Sequence, residues 1–311
     1  MRTSETAESK PPESTARRVT GAVWTALALV YVLWGSTYLA IRVVVRTMPP
    51  FLSAGARFIA AGLLLLGLVA WRYGPAALRA TRAQVGSAVV VGLLLILGGN
   101  GLVVLAETEV PSGLTALLIA AVPMWLVVLR TATGDRPPLR TLGGVLLGFA
   151  GLAVLTSPGI GGAVQLSGVL LVLVASVLWS LGSFSASKLS LPGNPFTGSA
   201  YQMLAGGAGG IVVGLLRGEH QDLDWAGYST ASWLALGYLV VFGSLVAFTA
   251  YAWLLQSAPL SLVATYAYVN PVVAVALGAL ILDEAMTWPI LVGGAVVVAA
   301  VCVIVSTERR Q

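Results

Sequence analysis

Apolar runs long enough to cross a lipid bilayer follow one another along almost the whole chain. A membrane-spanning helix needs about 20 consecutive, largely apolar residues, and ten such runs can be marked in the sequence. They cover residues 22–41, 51–71, 84–105, 111–129, 139–156, 166–186, 195–216, 231–254, 259–282 and 287–306. Because the segments between them are short, no stretch remains for a soluble domain. The pattern predicts an all-α polytopic membrane protein with ten transmembrane helices.

The charge content agrees with this class. Only 9% of the 311 residues are charged, whereas a soluble domain averages about 25%. Residues 1–21 are polar and lack the apolar core of a signal peptide. We therefore predict that they form a disordered cytoplasmic tail.

The basic residues predict an orientation. With a cytoplasmic N-terminus, all but four of the 17 Lys and Arg residues fall on the cytoplasmic side, which is a strong positive-inside bias. We expect a plasma-membrane protein with both termini in the cytoplasm, and the net charge of +5 then reflects topology rather than a nucleic-acid partner. Arg57, about two turns into the second span, is interpreted as snorkelling to the outer interface, with a place in a transport pathway as the alternative.

The two halves of the chain resemble each other. A shift of about 145 residues aligns short motifs of one half with the other. Matched pairs include Trp34 with Trp179, Pro50 with Pro195, Pro123 with Pro271, and Asp135 with Asp283. Five spans per copy is an odd number, so the second copy must enter the membrane from the opposite face. The sequence predicts two inverted five-helix repeats, residues 22–157 and 166–307, an architecture of alternating-access secondary transporters.

Polar and aromatic residues lie along one face of the first span of each repeat. These faces are Tyr31-Trp34-Tyr38-Arg42 and Ser176-Trp179-Ser183-Ser187. Such a face either lines a water-filled path or bonds neighbouring helices, and the sequence leaves both possibilities open. Asn100, well inside the third span, must also face protein or water, because an unpaired amide is costly in hydrocarbon.

Proline interrupts the fourth and ninth spans at corresponding positions. Pro123 and Pro271 each remove one amide donor and free a carbonyl group one turn earlier. Freed groups survive at membrane depth only where protein or water satisfies them. We predict a symmetric pair of kinks beside a cavity, with Tyr266 and Asn270 on one face next to the second kink.

Ionisable residues do not form a catalytic or metal-binding cluster. Glu107, Glu109 and the Asp283-Glu284 pair follow apolar runs and are interpreted as hydrated loop charges, with proton carriage as the alternative. His220 is the only histidine, and no second His or Cys accompanies it in its loop. No phosphate-binding loop motif occurs. We expect no catalytic residue, metal or cofactor.

Several stretches resemble EamA-type proteins of the drug/metabolite transporter superfamily. They are WGSTYLAIR from Trp34, PPFLSAGARFIAAG from Pro49, VPSGLTALLIAAVP from Val110 and ATYAYVNPVVAVALG from Ala264. The resemblance implies two inverted halves around a cavity lined mainly by spans 1, 3, 4, 6, 8 and 9. The cavity residues that it implies are Trp34, Tyr38, Asn100, Trp179, Tyr251, Tyr266 and Asn270.

The expected function is secondary transport, with export of small metabolites such as amino acids, related organic solutes or drugs. An integral membrane enzyme acting on lipid-linked substrates and a passive solute channel are the alternatives. The expected partners are a small-molecule substrate and membrane lipids, with no nucleic acid. The sequence does not fix the oligomeric state, and a monomer is compatible with it.

Overall fold

The computed structural model describes residues 21–134, 137–160, 164–258 and 260–308, and these ranges contain helices but no β-strand. The predicted tail, Asp135 and Pro259 lie outside them. Ten helices organise the described chain: α1 Gly21–Val44, α2 Pro50–Tyr73, α3 Arg82–Ala106, α4 Ser112–Ala132, α5 Leu139–Ile160, α6 Leu166–Ala186, α7 Pro195–Leu216, α8 Thr230–Ser257, α9 Tyr266–Leu282 and α10 Trp288–Glu308.

Seven of these helices, α1 to α4 and α6 to α8, are long and apolar enough to cross a membrane. Helices α5, α9 and α10 contribute shorter apolar stretches, Leu139–Leu155, Val269–Leu282 and Trp288–Ile304. Each predicted apolar run falls on a helix. The all-helical, polytopic part of the prediction is therefore confirmed.

Local sequence signals set where several helices begin. Asn194 caps α7, because its side-chain oxygen accepts hydrogen bonds from the amides of Phe196 and Thr197. Helix α3 begins with a capping box, in which Thr81 and Gln84 each bond the other's backbone amide. These caps satisfy amides that the first helical turn would otherwise leave without partners.

Helix packing follows the same pattern in the two halves. Helix α2 packs on α7, α4 on α9, and α5 on α10, so these pairs join equivalent helices. Helix α1 packs on α8 and α9, while its counterpart α6 packs on α3 and α4. The halves thus interlock, and α1 and α6 each contact two helices of the opposite half.

Glycine allows close backbone contact between α2 and α7. A Cβ atom added to Gly55 would lie 2.8 Å from the carbonyl oxygen of Gly207, and one added to Gly207 would lie 3.0 Å from that of Gly55. The two backbones therefore touch with no side chain between them. Helices in a bilayer associate largely through this kind of close packing.

Four helices depart from regular α geometry inside the bundle. Helix α4 is interrupted at Ala120 and Ala121, directly before the turn that contains Pro123. The ninth predicted run consists of a short turn, Leu260–Val263, and α9, which continues through Pro271. Helices α3 and α8 each contain a wider π-helical segment, Leu93–Gly101 and Leu239–Phe248. Single π-helical turns are often associated with functional sites.

Carboxylates join the halves at one end of the bundle, the end at which α1 finishes and α2 starts, here named the distal face. Glu219, after α7, accepts hydrogen bonds from the amides of Phe51 and Leu52 at the start of α2. Glu284, after α9, accepts bonds from the amides of Ser112 and Gly113 at the start of α4. Negative charge is favoured at a helix N-terminus, so these contacts stabilise the distal face.

The α2–α7 contact predicts the effect of adding a side chain there. Gly55→Leu should lower the free energy of unfolding by about 1–3 kcal/mol, because overpacking forces the two backbones apart. Gly67→Leu is the matched control, since a Cβ at Gly67 meets no atom within 4 Å. Thermal unfolding of purified protein in detergent measures both, and equal stability of the two variants would contradict the packing argument.

Candidate functional site

A small cavity lies where α1, α2, α3, α4, α6, α8 and α9 meet. Both halves of the chain contribute to its wall. The lining residues are Trp34, Thr37, Tyr38, Ile41, Arg57, Phe58, Gly99, Asn100, Val103, Ile119, Trp179, Gly243, Phe248 and Tyr266. Most of the lining is apolar or aromatic, with a few polar groups among it. Small-molecule sites in proteins have this composition.

An aromatic cluster forms one side of the cavity. The rings of Trp34 and Trp179, which occupy equivalent positions in the two halves, meet edge to face with centroids 5.4 Å apart. Trp34 also contacts Tyr251 at 4.8 Å and Tyr266 at 5.4 Å. Edge-to-face contacts at such distances are favourable because the positive ring edge meets the negative ring face. The two halves therefore touch at their matching tryptophans.

Hydrogen bonds fix the polar edges of the cluster. The Trp34 indole Nε1 donates to the carbonyl of Gly243 at 3.1 Å, within the π-helical segment of α8. The Trp179 Nε1 donates to the Tyr251 hydroxyl at 3.3 Å, and Ser183 lies 2.8 Å from the same hydroxyl. Buried indole and phenol groups usually find such partners. Each tryptophan is thus held by α8.

The cavity is small in this conformation. Its volume is about 50 Å³, whereas sites for drug-sized ligands span roughly 300–1,000 Å³. One water needs about 10–15 Å³ of such space, so the cavity has room for a few waters. An organic solute would require the surrounding helices to separate. The structure is that of a closed cavity.

Five of the seven predicted cavity residues line this space: Trp34, Tyr38, Asn100, Trp179 and Tyr266. Tyr251 lies behind the lining, in contact with both tryptophans. Asn270 is 3% exposed and is not among the lining residues, although it lies one turn from Tyr266 on α9. Its side-chain oxygen has no hydrogen-bond partner in the described chain.

The polar faces of α1 and α6 both line the cavity and bond neighbouring helices. Trp34, Tyr38 and Trp179 are lining residues. Outside the cavity, Tyr31 contacts Thr265 beside the start of α9, and Ser176 accepts a hydrogen bond from the Trp125 indole of α4. Both alternatives that the sequence left open therefore apply, and Trp34 and Trp179 combine them, since each lines the cavity and also bonds α8.

Arg57 is a cavity residue that the sequence analysis placed wrongly. The predicted snorkelling does not occur, because Arg57 is 3% exposed and its guanidinium lines the cavity. Its Nε donates to the Ser244 hydroxyl of α8 at 2.7 Å, and its guanidinium lies 4.5 Å from the Phe58 ring centroid. Its Nη1 has no hydrogen-bond partner among the described residues. The feature of the sequence that could have indicated this role was the position of the arginine, two turns inside a predicted span.

Two carboxylates that were interpreted as hydrated loop charges are instead buried or bonded to a helix start. Glu107 is completely buried after the last turn of α3, and neither carboxylate oxygen has a hydrogen-bond partner in the described ranges. Its backbone carbonyl accepts a hydrogen bond from Arg42. Glu284 is half-buried and bonds the start of α4. The interpretation was wrong for both, because neighbouring helices cover the loops in which they lie.

The sequence predicts no metal site. Among the residues that the structure describes, no group of three or more His, Cys, Asp or Glu side chains could hold a metal ion. His220 is exposed in the short turn Glu219–Asp222.

Comparison with protein-family models decides the family. The model of the EamA-like transporter family matches the chain twice, over residues 20–157 and 166–306. The chain belongs to the EamA-like transporter family. The resemblance of the sequence motifs is thereby confirmed, and the EamA cavity described above lies between the two matched segments.

Several proteins with similar sequences are named as transporters. The uncharacterized inner membrane transporter YedA of Escherichia coli (strain K12) is 39% identical over 258 residues, which cover 81% of this chain and 80% of YedA. The uncharacterized transporter YvbV of Bacillus subtilis (strain 168) is 27% identical and covers 92% of both chains. A WAT1-related chloroplastic protein of Arabidopsis thaliana is 26% identical, with 89% of this chain and 68% of that protein covered.

A solved crystal structure has the same fold as the EamA chain described here. It superposes with a TM-score of 0.67 at 19% sequence identity, covering 93% of this chain and 98% of the other. At this identity the likeness concerns the fold alone.

The aromatic cluster predicts a stability difference between tryptophans. Trp34→Ala should lower the free energy of unfolding by about 3–5 kcal/mol, because it empties a buried site and removes three ring contacts. Trp71→Ala is the control, since Trp71 is 82% exposed on α2. Thermal unfolding in detergent compares them, and a loss for Trp71→Ala as large as that for Trp34→Ala would contradict the central role of the cluster.

Proposed function

We propose that the chain is a secondary transporter of the plasma membrane that exports small organic metabolites by alternating access. The observation that carries this proposal is the closed cavity between the two halves, in which the equivalent residues Trp34 and Trp179 meet. A site shared by two repeats can be exposed on one side when the halves rock one way and on the other side when they rock back.

The paired geometry of the halves supports an inverted repeat, residues 22–157 and 166–307, with both termini cytoplasmic. Equivalent helices pack on each other, and the π-helical segments occur in the equivalent helices α3 and α8. Proline at 123 and 271 falls in the equivalent helices α4 and α9. The plasma membrane is proposed from the apolar helices and from the name of YedA, an inner membrane transporter.

Reconstitution in vesicles tests the proposal. Purified protein in liposomes without ATP should exchange at least one labelled solute from a panel of amino acids, nucleobases and cationic drugs, and the rate should saturate with concentration. His220→Ala should exchange at the same rate, because His220 is exposed and is not among the residues that line the cavity. Folded protein without flux for the whole panel would contradict transport, and a rate that rises linearly without saturation would indicate a channel.

Asn270 gives a second test of the same site. Asn270→Leu should lower the exchange rate at least several-fold with normal expression, because the buried amide next to Tyr266 is expected to hydrogen-bond a solute once the cavity opens. Val272→Leu is the control on the same helix, since Val272 is exposed on the outside of the bundle. Exchange rates and fluorescence-detected gel filtration measure both variants, and an unchanged rate for Asn270→Leu would remove Asn270 from the site.

A further inference from the structure

Arg57 is a buried cationic residue in the wall of a cavity whose lining is otherwise mostly apolar or aromatic. Its relative exposure is 3%, and it lies two turns into a helix that is apolar enough to span a membrane. A charged side chain at such a position is costly and marks a pathway or a binding group when it faces the interior of the bundle. A buried charge of this kind needs a binding partner, either within the protein or in a ligand.

The protein fixes the guanidinium but leaves part of it unused. Ser244 of α8 accepts a hydrogen bond from Nε at 2.7 Å, and the Phe58 ring lies beneath the group at 4.5 Å. Nη1 is buried and has no partner among the residues that the structure describes. Arginine offers five N–H donors in a planar fork. The orientation is therefore set by two contacts, while one buried donor atom of this cavity-lining side chain has no partner among the described residues.

Glu107, the buried acidic residue that follows α3, does not take this donor. Both Glu107 oxygens lack a hydrogen-bond partner within the described ranges, as Nη1 of Arg57 does. Glu107 therefore does not occupy the hydrogen-bonding edge of the guanidinium. That edge is free for another acceptor.

The rest of the lining sets the shape of a ligand. Trp34, Trp179 and Tyr266 present ring surfaces, which bind flat or apolar groups. Asn100 adds one acceptor, because its side-chain oxygen is buried without a partner in the described chain. A solute that fits these walls has an anionic group at one end and an apolar or aromatic body at the other.

We propose that Arg57 binds the carboxylate of the transported solute, so that the substrate class is small organic acids, free or zwitterionic, with an apolar or aromatic body. Guanidinium and carboxylate form paired, charge-assisted hydrogen bonds that are stronger in a water-poor site. This inference rests on the proposed transport function and names its substrate class. Asn100 supplies the acceptor that the ammonium group of a zwitterion would use.

Three probes of similar size separate the possible charges of the ligand. They are 3-phenylpropionate, its neutral amide 3-phenylpropanamide, and the cation phenethylamine. Binding is followed by the change in intrinsic tryptophan fluorescence of the full-length protein in detergent, because Trp34 and Trp179 lie in the cavity. The carboxylate should bind about 10- to 100-fold more tightly than the amide, the range expected for a charge-assisted hydrogen bond.

Three substitutions sharpen this test. Arg57→Gln should abolish the preference for 3-phenylpropionate over 3-phenylpropanamide while leaving amide binding in place. Arg57→Lys, which keeps the charge but not the planar fork, should retain a reduced preference and guards against a loss caused by misfolding. Glu107→Gln should preserve carboxylate binding, because neither Glu107 side-chain oxygen has a hydrogen bond to Arg57.

The outcomes are separate from those of the transport test, because binding is measured without flux. Equal binding of the carboxylate and amide to wild-type protein would overturn the inference, as would tighter binding of phenethylamine that Glu107→Gln abolishes. An unchanged preference in folded Arg57→Gln protein would also overturn it. If vesicle exchange fails while the carboxylate preference persists and depends on Arg57, the site assignment stands and the proposed transport function fails.

Discussion

Inside a bilayer, a backbone N–H or C=O group has no water to bond, so the chain must satisfy each of them itself. This constraint explains why the described residues are helical and where the helices deviate. The interruption of α4 at Ala120 and Ala121 lies within the bundle, where Ser180 of α6 donates to the carbonyl of Val122 at 3.2 Å. At the start of α9, Thr265 donates to the carbonyl of Leu262 and contacts Tyr31 of α1. Both irregular places have a polar contact with a neighbouring helix, and each lies close in sequence to a cavity-lining residue, Ile119 or Tyr266.

Much of the fold could be predicted because the membrane simplifies the sequence. A long apolar run in a membrane forms a helix, so the ten runs and their order could be predicted from the sequence. Trp34 and Trp179 occupy equivalent positions in the two repeats, and these two residues are in contact in the structure. The position of the second kink was harder to predict. The sequence places it at Pro271, whereas the chain is irregular before Tyr266 and α9 continues through Pro271. Proline removes one hydrogen bond, and tertiary packing decides whether the helix breaks there.

Charged residues were the harder part of the site. Arg57 and Glu107 lie near the ends of apolar runs, where sequence alone favours contact with water or headgroups. Their burial depends on α8 and on the neighbouring distal loops, which are distant in sequence. A hydrogen bond such as that between Arg57 and Ser244 joins residues of opposite halves. No local pattern carries this information, because it arises only when the two repeats interlock.

The charged closure of the distal face has a mechanical consequence. Glu219 and Glu284 belong to the second half, and each bonds a helix start of the first half. On the opposite face, Thr197 and Tyr201 of the second half donate neutral hydrogen bonds to the carbonyls of Ala77 and Leu78. Separating a carboxylate from a helix N-terminus costs more than breaking a neutral hydroxyl contact. In the proposed alternating-access mechanism, the Glu219 and Glu284 contacts therefore cost more to break than those of Thr197 and Tyr201, which makes the distal face the harder one to open.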